Sequence, residues 1–138
     1  MAENSNHPPI PVVCVLIERD GRVLLAQRPP HKHLGGKWEF PGGKVETSES
    51  TEAAIVREIW EELGCLLILT EALPRFTHAY AETIEMIPFV GHLAPDSPGP
   101  TAHEHVALQW LLPTDIAAVD LAAADYPVLA AYRELRNV

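Results

Sequence analysis

At 138 residues the chain is long enough for one domain with a substantial core, and its 47% hydrophobic content marks it as globular rather than disordered. A formal charge of −9, with no run of lysine and arginine, excludes a basic surface for duplex nucleic acid; an anionic substrate has to be held by local cations against a repulsive field. The aliphatic run Leu66–Leu69 is far too short to cross a bilayer, so no membrane partner is expected.

Residues 1–9 are polar, lack the apolar centre of a signal peptide, and read as a flexible arm before a single domain at 10–138. Val12–Glu18 is a β-branched-rich run, expected as a buried strand. Asp20-Gly21 is a hairpin turn signal, and Val23–Gln27 returns as its partner. Arg28–Lys37, with two prolines and two glycines, is expected to be a loop. Trp38–Phe40 is a short strand running into a sharp glycine turn at Pro41-Gly42-Gly43, with Lys44–Glu49 a loop. A helix is expected from Ser50 to Leu63, with Ser50 as N-cap, Gly64 just past its end, and Ala53, Ala54, Ile55 and Ile59 on its buried face. Strands follow at Leu66–Ala72, Arg75–Ala81, Thr83–His92 and Val106–Leu112, with an exposed loop at Ala94–Thr101. The last helix carries Pro127 in its first turn and Val128, Leu129, Tyr132 and Leu135 as its apolar stripe. This mixed order of strands and helices points to an α/β sandwich with a mixed sheet. Cys14 and Cys65, the only cysteines, form no Cys-x-x-Cys pair and read as two buried, reduced thiols of a cytoplasmic protein.

The most informative cluster is Glu58, Glu61 and Glu62, on the last turns of the first helix. Residues three and four apart share a helix face, and like charges at that spacing cost roughly 0.2–0.5 kcal/mol per pair. Anions near a helix C-terminus also oppose the macrodipole, by about 0.3–1 kcal/mol each. A solvated acidic face is the plain reading. A local violation without visible compensation otherwise marks a functional site, and the simplest missing piece is a bound divalent cation. Arg57 can pair with Glu61 one turn on, a surface contact of about 0.3–0.5 kcal/mol.

Gly43, Glu49, Arg57, Glu58, Ile59, Glu61, Glu62 and Gly64 fit the pattern Gx5Ex7REUxEExGU, where U is a bulky aliphatic residue; Cys65 departs from it at the final U. This stretch resembles the Nudix box. The strand pair Val12–Gln27, the approach Trp38–Lys44, the segment Ala102–Trp110 and the ending Ala124-Asp125-Tyr126-Pro127 are also similar to MutT-type Nudix hydrolases. The resemblance implies an α/β/α sandwich with a mixed sheet. It also implies Mg²⁺ dependence, with Mn²⁺ as a possible substitute, and hydrolysis of nucleoside diphosphates linked to another group. Residue by residue, it implies that Glu58 orients or deprotonates the attacking water and that Arg57 orients the glutamates. Gly42 (through its carbonyl), Glu58, Glu61, Glu62 and the outlying Glu104 hold metal, while Glu49 supports them and Lys44 meets the departing phosphate.

Nucleotide choice falls to Arg28, Phe40 and Asp125. Arg28 contacts the nucleotide or only water. Phe40 shares a strand face with Trp38 and either packs in the core or lines a base pocket. Asp125 either caps the last helix or reads the base edge. An ionised Asp only accepts hydrogen bonds, whereas the asparagine in this place in MutT proteins that clean 8-oxoguanine nucleotides also donates. In His103-Glu104-His105, strand alternation would put both histidines on one face and Glu104 on the other. The leading expectation is a nucleoside triphosphate pyrophosphohydrolase acting on a substrate such as 8-oxo-dGTP, as a monomer or homodimer. CTP or a modified dCTP is the alternative substrate. A non-catalytic nucleotide-sensing module is the alternative of another class.

Overall fold

The computed structural model describes residues 7–138; residues 1–6 of the expected arm lie outside them, and residues 7–9 are exposed and irregular. The core is organised by strand β1 (Ile10–Arg19), whose aliphatic run is buried on both faces. It runs parallel to β7 (Thr83–Leu93) from Ile10↔Ile84 to Ile17↔Gly91. Its first half pairs antiparallel with β4 (Gly42–Lys44) and its end with β2 (Arg22–Gln27). β2 in turn pairs with β3 (Trp38–Glu39) and β8 (Ala107–Leu111). β5 (Leu67–Ala72) and β6 (Phe76–Ala79) complete the sheet against β7. One parallel pairing among antiparallel ones makes the sheet mixed, as expected.

Alternation along β1 divides the core in two. Val13, Val15 and Ile17 pack with Leu24 beneath α1 (Thr51–Leu63), against Ala54, Ile55, Ile59 and Leu63. Cys14 and Leu16 face the other way with Val23 and Leu25, beneath α3 (Asp125–Arg136), against Val128, Leu129 and Tyr132. The result is the expected α/β/α sandwich, with a short helix α2 (Pro113–Ile116) that the sequence reading omitted.

The ends of α1 are set locally. Ser50 Oγ accepts from the Ala53 N–H at 3.0 Å, and Gly64 takes the left-handed conformation (φ 68°), where glycine has no Cβ penalty. Two expected buried residues are exposed. Ala53 lies outside the stripe of Ala54, Ile55, Ile59, Glu62 and Leu63. Leu135 is 43% exposed, because α3 ends at the next residue.

The glycine segment needs a larger correction. Gly42 and Gly43 do not form a turn and have no positive φ; they lie in β4. A Cβ on Gly42 would stand 1.9 Å from the Val13 carbonyl oxygen. Glycine is required there for close approach of two strands, not for bending. β4 in turn brings this backbone against α1, beside the glutamates.

Candidate active site

Arg57 is the hub of the acidic end of α1. Its Nε and Nη2 donate to Glu49 at 2.6 and 2.9 Å, and Nη2 also reaches the Lys44 carbonyl at 3.2 Å. Its Nη1 donates to Glu58 at 3.2 Å and to Glu61 at 3.1 Å. The planar guanidinium thus ties the loop before α1 to two turns of the helix, a task a point charge cannot do. The Glu49 carboxyl is held down at about 2 by these bonds from Arg57 and by the Glu46 backbone. It is therefore ionised throughout the neutral range.

Glu58 and Glu62 face inward and experience the opposite effect. Burial raises the Glu58 carboxyl, aided by Glu61 and Glu104, while Arg57 opposes the shift. Glu62 is 8% exposed and pushed up to about 9, by burial first and then by Glu39, Glu58 and Glu104; a Gly42 backbone hydrogen bond works the other way. Its Oε1 is buried without a hydrogen-bond partner among the described residues. Leaving such an atom unsatisfied costs about 1–3 kcal/mol. A Cβ on Gly43 would stand 2.4 Å from the Glu58 carboxyl, so glycine keeps this space open.

Glu104 is exposed, yet its charge reaches both Glu58 and Glu62. Among the described residues, no three Asp, Glu, His or Cys side chains form a closed metal cage. Mg²⁺ does not require one: it keeps several waters and takes one or two carboxylates together with substrate phosphates. The orphaned Glu62 oxygen, the space at Gly43 and the hard oxygen donors fit such a hydrated cation.

Beside the acids opens a cavity of about 400 Å³. Gly43 and Lys44 line its acidic end, Arg28 and Glu39 its wall, and Tyr80 and Asp125 the region near α3. Asp125 is not a helix cap. Ala124 holds the cap position, and the Asp125 carboxyl turns inward to accept from the Phe40 N–H at 3.0 Å. Burial, chiefly, pushes this carboxyl up to about 8; Phe40 and Arg28 oppose the shift and Glu39 reinforces it. While it holds its proton, Asp125 can donate as well as accept. The expectation of an acceptor-only group applies to the ionised form.

Phe40 does not line the cavity. It is 2% exposed within the α3-side core, which takes Trp38 on the same strand face. Arg28 does line it, and its Nη1 donates to Glu39 at 3.2 Å.

Four side chains at the site were not assigned to it from the sequence: Glu39, Tyr80, His103 and His105. Glu39 stands between the two ends of the site, its charge felt by both Glu62 and Asp125. A lone acid between Trp38 and Phe40 was the available signal. Tyr80 walls the cavity, and its hydroxyl accepts from the Ala124 N–H at 2.9 Å. The histidines of His103-Glu104-His105 precede β8 rather than sharing a strand face. His103 Nδ1 lies 3.0 Å from the Glu61 carbonyl, and His105 Nε2 lies 2.8 Å from Glu39 Oε2.

Known proteins resemble this chain over most of its length. The NUDIX domain model matches residues 7–132. A CTP pyrophosphohydrolase of Escherichia coli (strain K12) is 44% identical over 128 residues, 92% of this chain and 93% of that protein. An 8-oxo-dGTP diphosphatase of Proteus vulgaris is 46% identical over 63 residues, 42% of this chain and 56% of that protein. The solution structure of the E. coli ORF135 protein superposes with a TM-score of 0.81 at 41% identity, covering 96% of this chain and 94% of that one. The match runs through β1, the glutamate helix and most of α3, so the folded unit as a whole is shared rather than one motif within it: the chain belongs to the NUDIX family.

Proposed function

We propose that the protein is a nucleoside triphosphate pyrophosphohydrolase that works in the cytoplasm with Mg²⁺, Mn²⁺ serving as a substitute. It releases a nucleoside monophosphate and pyrophosphate, on substrates such as 8-oxo-dGTP. The observation that carries this reading is the buried, unpartnered Glu62 oxygen on the same helix as Glu58, whose carboxyl packs against Gly43 in the wall of a cavity that also takes in Asp125. A divalent cation bound there supplies neutralisation of phosphate charge and acidifies water.

The chain's own residues do the rest. Glu58, Glu61, Glu62, Glu104 and the Gly42 carbonyl are the donors for metal. Glu58, raised by burial, orients the attacking water and takes its proton. Arg57 positions Glu58 and Glu61, with Glu49 as its counter-anchor. Lys44, at the acidic end of the cavity, meets the charge developing on the departing phosphate. Arg28 contacts the nucleotide from the cavity wall. Phe40 contributes through its backbone, by fixing Asp125, which reads the base edge as a neutral carboxyl.

A second reading, with CTP or a modified dCTP as the preferred substrate, is favoured by the E. coli CTP pyrophosphohydrolase, the relative similar over nearly the whole chain. A neutral Asp125 offers both a donor and an acceptor, and either base presents groups that complement them. A panel of normal and oxidised nucleoside triphosphates, scored by kcat/KM with pyrophosphate as the assayed product, decides between the two. Release of orthophosphate alone, or no release from any nucleotide with Mg²⁺, contradicts the proposal.

A further inference from the structure

We infer that His105 is a positioning residue for nucleotide binding: through Glu39 it fixes Arg28 on the cavity wall. His105 is nearly enclosed, with 5% of its side chain exposed, and its Nε2 lies 2.8 Å from Glu39 Oε2. Glu39 is the acceptor, so Nε2 carries the proton. The same carboxylate receives Arg28 Nη1, at 3.2 Å on Oε1 and 3.3 Å on Oε2. Arg28 is fixed a second time by its Nε, which donates to the His33 carbonyl at 2.7 Å. The chain His105–Glu39–Arg28 therefore leads from the loop before β8, across β3, to the cavity.

The backbone around His105 is held at both ends. On one side the His103 N–H donates to the Glu62 carbonyl at 3.1 Å, and on the other the Val106 N–H donates to the Gln27 carbonyl at 3.0 Å. Gln27 directly precedes Arg28, so one short segment touches the glutamate helix, Glu39 and the strand that presents Arg28. Glu39 is itself partly buried, with 17% of its side chain exposed. Two cationic or donor partners keep it turned to the wall.

This role rests on the pyrophosphohydrolase reading, and the two fail differently. A wild-type protein that neither hydrolyses nor binds any nucleotide defeats that reading. The inference itself is tested with His105→Phe, which fills the space without a donor, and His105→Gln, which restores an N–H. His105→Phe is expected to raise KM by about 10- to 100-fold while kcat stays within about threefold. It is expected to weaken binding of a non-hydrolysable α,β-methylene nucleoside triphosphate by the same factor, and His105→Gln is expected to recover most of the loss. Arg28→Ala should show the same pattern, and combining it with His105→Phe should add little. Wild-type KM and analogue affinity in His105→Phe overturn the inference. So does a double variant whose losses multiply, or a His105→Gln no better than His105→Phe at equal melting temperature. Should His105→Phe not fold, Glu39→Ala breaks the chain at its centre; the same KM rise is expected, and an unchanged KM overturns the inference.

Discussion

The Phe40 N–H donates to Asp125 Oδ2 at 3.0 Å, joining residues 85 positions apart at the inner end of the cavity. That carboxyl is pushed up to about 8, by burial before all else, from an ordinary value of 3.8. Between those values the folded protein holds a proton that the unfolded chain has released. The contribution to stability is complete below the lower value and is lost as pH rises through the upper one, by at most about 1.4 kcal/mol per pH unit. Melting temperature is expected to fall from about pH 5 to about pH 9 in the wild type and to fall less in Asp125→Asn. Equal slopes in the two proteins, measured by thermal melts across that range, contradict a buried neutral carboxyl. At pH 7 the same substitution should change relative rates among bases more than it changes stability.

The neighbouring glycines should respond differently to alanine. On Gly43 the three atoms nearest the added methyl all belong to the Glu58 carboxyl, the end of a side chain that can move. Gly43→Ala is expected to fold and to lose roughly 100-fold or more in kcat, since displacement of a reacting group by about 1 Å costs this much. On Gly42 the methyl meets the Val13 backbone, which cannot move without separating β4 from β1. Gly42→Ala is expected to lose more than about 4 kcal/mol of stability, in the range of severe core disruption. Chemical denaturation and single-turnover kinetics on both variants separate the two effects.

Arg57→Ala removes the bonds to Glu49, Glu58, Glu61 and the Lys44 carbonyl at once. An activity loss of about 10- to 100-fold is expected, larger than the loss of stability, because these pairs are partly solvated. Arg57→Lys should recover little of it, since an ammonium cannot span acceptors on both sides. A lysine variant with near-wild-type kcat would reduce Arg57 to a counter-charge.

What was legible in the sequence is what local chemistry decides. Ser50 and Gly64 bound α1 because a hydroxyl cap and a left-handed residue act within a few positions, and both were expected. The β-branched run of β1 and the glutamate spacing were likewise readable. Gly42 and Gly43 were misread because a glycine advertises conformational freedom, whereas its use here is to admit Val13 and Glu58, which arrive from elsewhere. Phe40 was ambiguous for the same kind of reason: strand alternation gives a face but not what the face meets. The upward shift of the Asp125 carboxyl was not readable, because its burial is a property of the packed core. Glu39 and His105, 66 positions apart, carry no local signal of their pairing.

The central claim, that Glu62 helps hold a divalent cation for pyrophosphate release, is tested most directly by titrating Mn²⁺ into the wild type and Glu62→Gln, followed by electron paramagnetic resonance and by turnover of the same samples. With its carboxyl pushed up to about 9 by burial and by Glu39, Glu58 and Glu104, Glu62 is costly to ionise in the absence of metal. The metal-free glutamine variant is therefore expected to melt no lower than the wild type. Its Mn²⁺ affinity is expected to drop by about tenfold or more and its turnover by about 100-fold or more. A glutamine variant that binds Mn²⁺ and releases pyrophosphate as the wild type does would contradict the account.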